Sequence, residues 1–261
     1  MERIPRIHIE GGFYYVTIRG DHDEEIFKDA EDYQGYLNLL KKYKEQYGFK
    51  LFAFVLLPNH LRLLIELREG ATLSNIMHDF NGNYTKYFNR KYSLKGHLFQ
   101  EKYKMNLMEK SHYLIYMSAY IHLYPQWLNL VPKTAAYPYS SYPIYLYYSQ
   151  LKGDCVDTEQ KPFGFDVGME QETMEVLGDL GERDYTDYLE SISMMKEIRT
   201  FAKLLKNRVI LGSEEFKEAA RLKIETHWQE KCRQKMVSLR QCLSDFEIEK
   251  GKLKELEEKL R

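Results

Sequence analysis

A chain of 261 residues is long enough for one ordinary domain with an appendage, or for two small domains. Hydrophobic residues make up 44% and charged residues 30%, a balance that favours a packed core under a charged surface. The net charge of −1 points to no partner class by itself, and no apolar run approaches the roughly 18 to 20 residues that span a bilayer.

The opening, MERIPRIHIEGG, has no apolar stretch of signal-peptide type, so a cytoplasmic protein without membrane contact is expected. Residues 13–19, FYYVTIR, are rich in aromatic and β-branched side chains and predict a strand. Residues 31–47 predict a helix, with Tyr36, Leu39, Leu40 and Tyr43 at helical spacing. Two apolar strands are expected at 49–57 and 61–67, joined by Pro58, Asn59 and His60, which have turn chemistry. A helix over 73–92 follows, with Thr72 as its cap and a break near Gly96. A further strand fits within 98–108, and a helix fits 110–124, ended by Pro125. Helices alternating with a central hairpin predict an α+β fold, an antiparallel sheet with helices packed on it.

Past residue 150 the character changes. We expect a domain over 1–150, a linker over 151–183 and a helical region over 184–261. Within the last, 184–206 and 213–260 read as helices. Leu239, Phe246, Leu253 and Leu260 recur every seven residues, which fits a coiled-coil seam or a helix folded back on its own domain. Cys155, Cys232 and Cys242 are odd in number and widely spaced. They read as free thiols in a reducing compartment, without zinc spacing.

Charge is unevenly spread. Residues 1–150 carry 18 Lys and Arg against 15 Asp and Glu, and residues 151–261 carry 20 against 24. The basic excess is sharpest over 80–104, where Lys86, Arg90, Lys91, Lys95, Lys102 and Lys104 face Glu101 alone. Aromatic side chains interleave with them. Such a segment suits a nucleic-acid strand, by phosphate neutralisation and base stacking, and equally suits the solvated face of an amphipathic helix.

Five segments together carry a resemblance: RIHIEGGFYYVTIRG at 6–20, FAFVLLPNHLRLLIEL at 52–67, YTKYFNRKYSLKGHLFQEKYK at 84–104, YLIYMSAYIHLYP at 113–125 and YPYSSYPIYL at 137–146. In that order and spacing they resemble the REP-associated branch of the HUH single-tyrosine transposases. The resemblance implies a ferredoxin-like core, hairpin-forming single-stranded DNA as partner and a Mg or Mn ion as cofactor. It also implies a homodimer, as relatives commonly form. The implied activity is nicking and strand transfer through a 5′-phosphotyrosine. His60 matches the first metal histidine and Tyr120 the nucleophile. Lys102 and Lys104 match family DNA contacts, and Lys86, Arg90, Lys91, Lys95 and Arg62 join them as candidates.

The chemistry of that motif is simple. Side chains two apart on a strand share a face, so His-x-His offers two imidazoles to one cation. On a helix, residues four apart share a face, so a tyrosine and a ligand four positions later meet the same ion. Here the second histidine position holds Arg62, and the ligand position after Tyr120 holds Tyr124. Arginine is permanently cationic and a neutral phenol is a poor ligand for a hard cation, so metal binding and catalysis are expected to be impaired. His97 is expected to be structural. His122 lies about 200° around the helix from Tyr120 and is expected to face elsewhere.

Overall fold

The computed structural model describes residues 9–100, 103–150, 164–181, 183–194 and 210–230, with 201, 203, 205, 233 and 234 besides. Strand β1 (Phe13–Arg19) leads through a short turn to helix α1 (Ala30–Tyr47). Asp29 and Asp32 form a reciprocal capping box at its start, and Gly48 closes it in the left-handed region at φ 65°. Strands β2 (Lys50–Leu57) and β3 (His60–Glu66) make the expected hairpin. Helix α2 (Leu73–Tyr92) starts where Thr72 accepts from the Asn75 N–H at 3.2 Å and ends at Ser93, φ 53°. Strand β4 (Lys104–Met108) and helix α3 (Lys110–His122) complete the core.

The sheet runs β2-β3-β1-β4-β5, and its first four strands are antiparallel neighbours. A βαββαβ chain with this order is the ferredoxin-like arrangement, and the α+β class expected from the sequence is observed. The fifth strand, β5 (Ile210–Leu211), was not expected. It pairs with β4 in parallel and makes the sheet mixed.

Two expectations need correction. Pro125 does not end α3 but sits in the first turn of a short following helix, α4 (Tyr124–Trp127), where its missing N–H costs nothing. The strand expected within 98–108 begins only at Lys104. Residues 98–100 instead clasp the end of β1, Asp21 N–H donating to Leu98 O and Gln100 N–H to Arg19 O.

Beyond α5 (Tyr142–Gln150) lie α6 (Glu170–Asp179) and α7 (Tyr185–Ser193). The sequence suggests a linker over 151–183, yet α6 is docked on the core. Its Glu172 meets Lys44 at 2.9 Å, and its Glu175 meets Lys110 at 2.6 Å. Acidic side chains on the inward face disguised its amphipathic pattern. Residues 1–214 accordingly form one compact unit, and residues 215–261 a second. In the second, 215–230 are helical, with Leu222 and Trp228 exposed. The stripe from Leu239 to Leu260, the cysteines Cys155 and Cys232, and Cys242 lie outside the described residues. No helix among the described residues is long and apolar enough to cross a membrane.

Candidate active site: a buried arginine in a tyrosine cage

His60 opens β3 and Arg62 follows two residues later, so both side chains leave the same face of the sheet. Cross-strand register puts Arg62 opposite Thr17 of β1 and Val55 of β2, and His60 opposite Arg19 and Leu57. Tyr15, two residues before Thr17, shares this face. Helix α3 lies over it, and the Tyr15 and Tyr120 rings meet edge to face at 6.0 Å.

His60 is buried. Its Nδ1 lies 2.7 Å from Asn59 Oδ1, and its Nε2 has no partner. Burial first, and then the Arg19 charge, pull its pKa down to about 4, so the ring is neutral at ordinary pH. The ring stands 6.0 Å from that of Tyr124, which in turn stands 5.6 Å from Tyr120. The shared neighbour keeps His60 and Tyr120 in one cluster.

Arg62 is only 6% exposed. Its guanidinium lies 3.4 Å from the centroid of the Tyr124 ring and donates to the Tyr15 hydroxyl, while Nε has no acceptor. No carboxylate pairs with it among the described residues. Burial pulls the guanidinium below the ordinary arginine range, and Tyr124 and Tyr120 oppose that pull. It stays charged at any working pH, because arginine starts so high. A cation–π contact at this distance, out of water, supplies about 2 kcal/mol toward an otherwise costly burial.

Tyr120 is 1% exposed. Trp127 and Phe201 pack against it at 5.5 and 6.1 Å. Burial raises its phenol pKa, and the Arg62 charge works the other way. The structure thus brings Tyr120, His60, Arg62 and Tyr124 together, as the sequence pattern predicts. It adds Tyr15, Trp127 and Phe201, which sequence reasoning missed. Only strand register reveals Tyr15, and only long-range folding brings Phe201 here.

A divalent metal does not fit this donor set. Among the described residues no group of three His, Cys, Asp or Glu comes together. One imidazole nitrogen is available, the second ligand position is a cation, and the Tyr124 ring is already covered by that cation.

The remaining candidates divide. His122 turns away, as expected: Nδ1 lies 2.8 Å from Tyr185 Oη and Nε2 lies 2.7 Å from Ser141 Oγ. Lys91 is occupied, its Nζ lying 2.7, 3.0 and 2.9 Å from Asp29, Glu31 and Asp32. Lys86, Arg90, Lys95 and Lys104 are exposed and make no ion pair with the described residues. Lys102 lies outside the described residues. His97 is exposed on the loop after α2.

Residues 13–123, which hold Tyr15, His60, Arg62 and Tyr120 but not Tyr124, Trp127 or Phe201, match the family of IS200-like transposases. Among solved structures, the chain is similar to a REP-associated tyrosine transposase bound to a REP hairpin, at 20% identity and a TM-score of 0.49, over 64% of this chain and 100% of that one. It is also similar to a Deinococcus radiodurans protein described as a transposase, at 15% identity and a TM-score of 0.33, over 45% and 92%. No curated protein matches the chain. The matched segment ends at the close of α3, and α5 to α7 and β5 lie outside it.

Proposed function

We propose that the chain binds hairpin-forming single-stranded DNA and that its strand-cleaving chemistry is impaired. The match of residues 13–123 to the IS200-like transposases supports the DNA partner. Lys86, Arg90, Lys95 and Lys104 are exposed and make no ion pair among the described residues, which supports a phosphate-binding surface beside the hairpin. The observation that carries the impairment is Arg62. It occupies a ligand position with a permanent charge, and that charge repels an incoming dication.

Family chemistry would have the metal polarise the phosphodiester while the tyrosine attacks phosphorus. Here Tyr120 has to shed its proton inside a closed aromatic cluster that raises its pKa. Arg62 can supply positive charge toward a phosphate, but one delocalised monocation polarises phosphorus less than a bound dication does. To reach DNA, its guanidinium has to leave the Tyr124 ring. The burial of Tyr120 also favours a second reading, in which the protein is a non-catalytic DNA-binding regulator derived from a transposase. A homodimer and a cytoplasmic location remain part of the proposal.

The test is cleavage of hairpin-bearing single strands across a magnesium and manganese series, scored as a covalent protein–DNA adduct. The unaltered protein should bind without metal and give little or no adduct. Arg62→His with Tyr124→Asn should raise manganese affinity and yield an adduct that Tyr120→Phe removes. Robust metal-dependent cleavage by the unaltered protein, lost in Tyr120→Phe, would overturn the impairment. Failure to bind any hairpin strand would overturn the DNA reading.

A further inference from the structure

Helix α4 ends in an exposed apolar ledge beside the Tyr120 cluster. Leu128 and Leu130 are each 44% exposed, and Trp127 before them is half-buried. Backbone bonds fix the ledge in place. Leu128 N–H donates to Tyr124 O at 3.1 Å, Asn129 N–H to Gln126 O at 3.0 Å and Leu130 N–H to Pro125 O at 3.0 Å. With Asn129 left-handed at φ 55°, the last two bonds form the Schellman arrangement that closes a helix. The Thr134 hydroxyl donates to Gln126 Oε1 at 2.9 Å and pins the chain that follows. The leucines are therefore held on the surface and do not fold back to bury themselves.

The ledge joins the cluster through Trp127. Tyr120 and Tyr124 meet its ring at 5.5 and 5.8 Å with interplanar angles of 65° and 66°, so both approach edge to face and neither stacks flat on it. The surrounding charge has one sign. Residues 110–153 contain no Asp or Glu, and α3 and the turn Thr134–Ala136, on which α4 packs, lie inside that stretch. The one charged side chain over 123–136 is Lys133, which is exposed. The nearest charge on the cluster side is the Arg62 guanidinium against the Tyr124 ring.

We propose that this ledge takes an unpaired base of a DNA single strand, stacked on Trp127 and edged by Leu128 and Leu130. The proposal rests on the DNA-binding reading and deepens it. A flat indole face with aliphatic neighbours suits the apolar faces of a base, and the absence of carboxylates spares the attached phosphates repulsion. Bases inside a duplex stack on both faces and offer none, so the ledge selects the unpaired part of a hairpin-bearing strand. Its size also favours a base over a second protein. Three side chains match one or two bases and fall far short of the roughly 800 Å² per partner in a stable protein interface.

Tryptophan emission provides the test, because a stacked base quenches an indole. The chain has two tryptophans, and Trp228 is exposed in the second unit, so Trp228→Phe leaves Trp127 as the reporter. Short oligo-dT and a hairpin with a single-stranded extension should quench that emission, and a blunt, fully paired hairpin should not. Leu128→Ser with Leu130→Ser alters exposed side chains alone. In fluorescence anisotropy it should weaken oligo-dT binding about tenfold, keep the affinity for the blunt hairpin and leave the melting curve unchanged. Binding of oligo-dT without quenching, or with the affinity of the parent in the serine variant, overturns the ledge proposal alone. Self-association in sedimentation that the serine variant loses while its DNA binding stays intact assigns the ledge to a second copy and overturns the proposal too. A protein that binds none of these DNAs overturns the DNA reading and the ledge together.

Discussion

Two sides of α3 bury polar side chains, and they treat them differently. On one side His122 uses both ring nitrogens, toward Tyr185 at 2.8 Å and Ser141 at 2.7 Å, and it ties α3 to α5 and α7. On the other side His60 Nε2 and Arg62 Nε have no partner, and the Arg62 charge lies against the Tyr124 ring with no carboxylate paired to it among the described residues. A fully satisfied buried network stabilises a unique packing. A partly satisfied one costs stability and persists where something other than stability holds it in place. The contrast separates a structural histidine from the candidate site around Tyr120, two residues away in sequence.

Removing the two groups should have opposite consequences. His122→Ala removes the ring partner of the Tyr185 hydroxyl and opens a cavity, while Ser141 Oγ keeps its bonds to Phe54, so chemical denaturation should show a loss of about 3 kcal/mol. Arg62→Met keeps the volume and removes an uncompensated buried charge, at the expense of one Tyr15 hydrogen bond. Its stability should stay within about 1 kcal/mol of the parent or rise. A large loss on Arg62→Met would mean that the guanidinium is a structural keystone, and the contrast would fail.

Acid should sharpen the same comparison. Burial lowers the pKa of both His60, to about 4, and His122, to about 3. The unfolded chain takes up these protons near pH 6.5, whereas the folded chain refuses them until lower pH. Stability from the neutral rings is therefore complete above about pH 6.5 and is lost as pH falls from there. Between pH 6 and 5 each histidine contributes a slope approaching 1.4 kcal/mol per pH unit. His60→Gln should remove about half of that slope in denaturation curves and leave the remainder to His122. An unchanged slope would place the His60 ring in water.

Much of this was legible in the sequence. The hairpin, the helix stripes and the shared face of His60 and Arg62 follow from periods of two and 3.6 residues. The strand β5 was not legible, since two residues carry no period. Helix α6 was hidden because Glu172 and Glu175 occupy its inward side and are neutralised by Lys44 and Lys110, partners far away in sequence. The cage around Arg62 needs the pairing of β1 with β3, which no local pattern states. Among the basic residues, composition could not tell Lys91 from Lys86 and Arg90, because the difference lies in the capping box at the start of α1.

That last distinction can be measured as a salt dependence. Each phosphate neutralised on a single strand contributes about 0.7 to the slope of log affinity against log salt. Lys86, Arg90 and Lys104 are exposed and make no ion pair among the described residues. Replacing each with glutamine should lower the slope stepwise, by up to about 0.7 apiece. Lys91 is already surrounded by Asp29, Glu31 and Asp32 at 2.7 to 3.0 Å. A phosphate would have to compete with three carboxylates for that one ammonium. Lys91→Gln should therefore leave the slope unchanged while lowering the melting temperature, because Asp32 is buried and loses its cation. If Lys91→Gln instead flattens the slope as the others do, the network opens on DNA, and the basic surface of α2 extends across the start of α1.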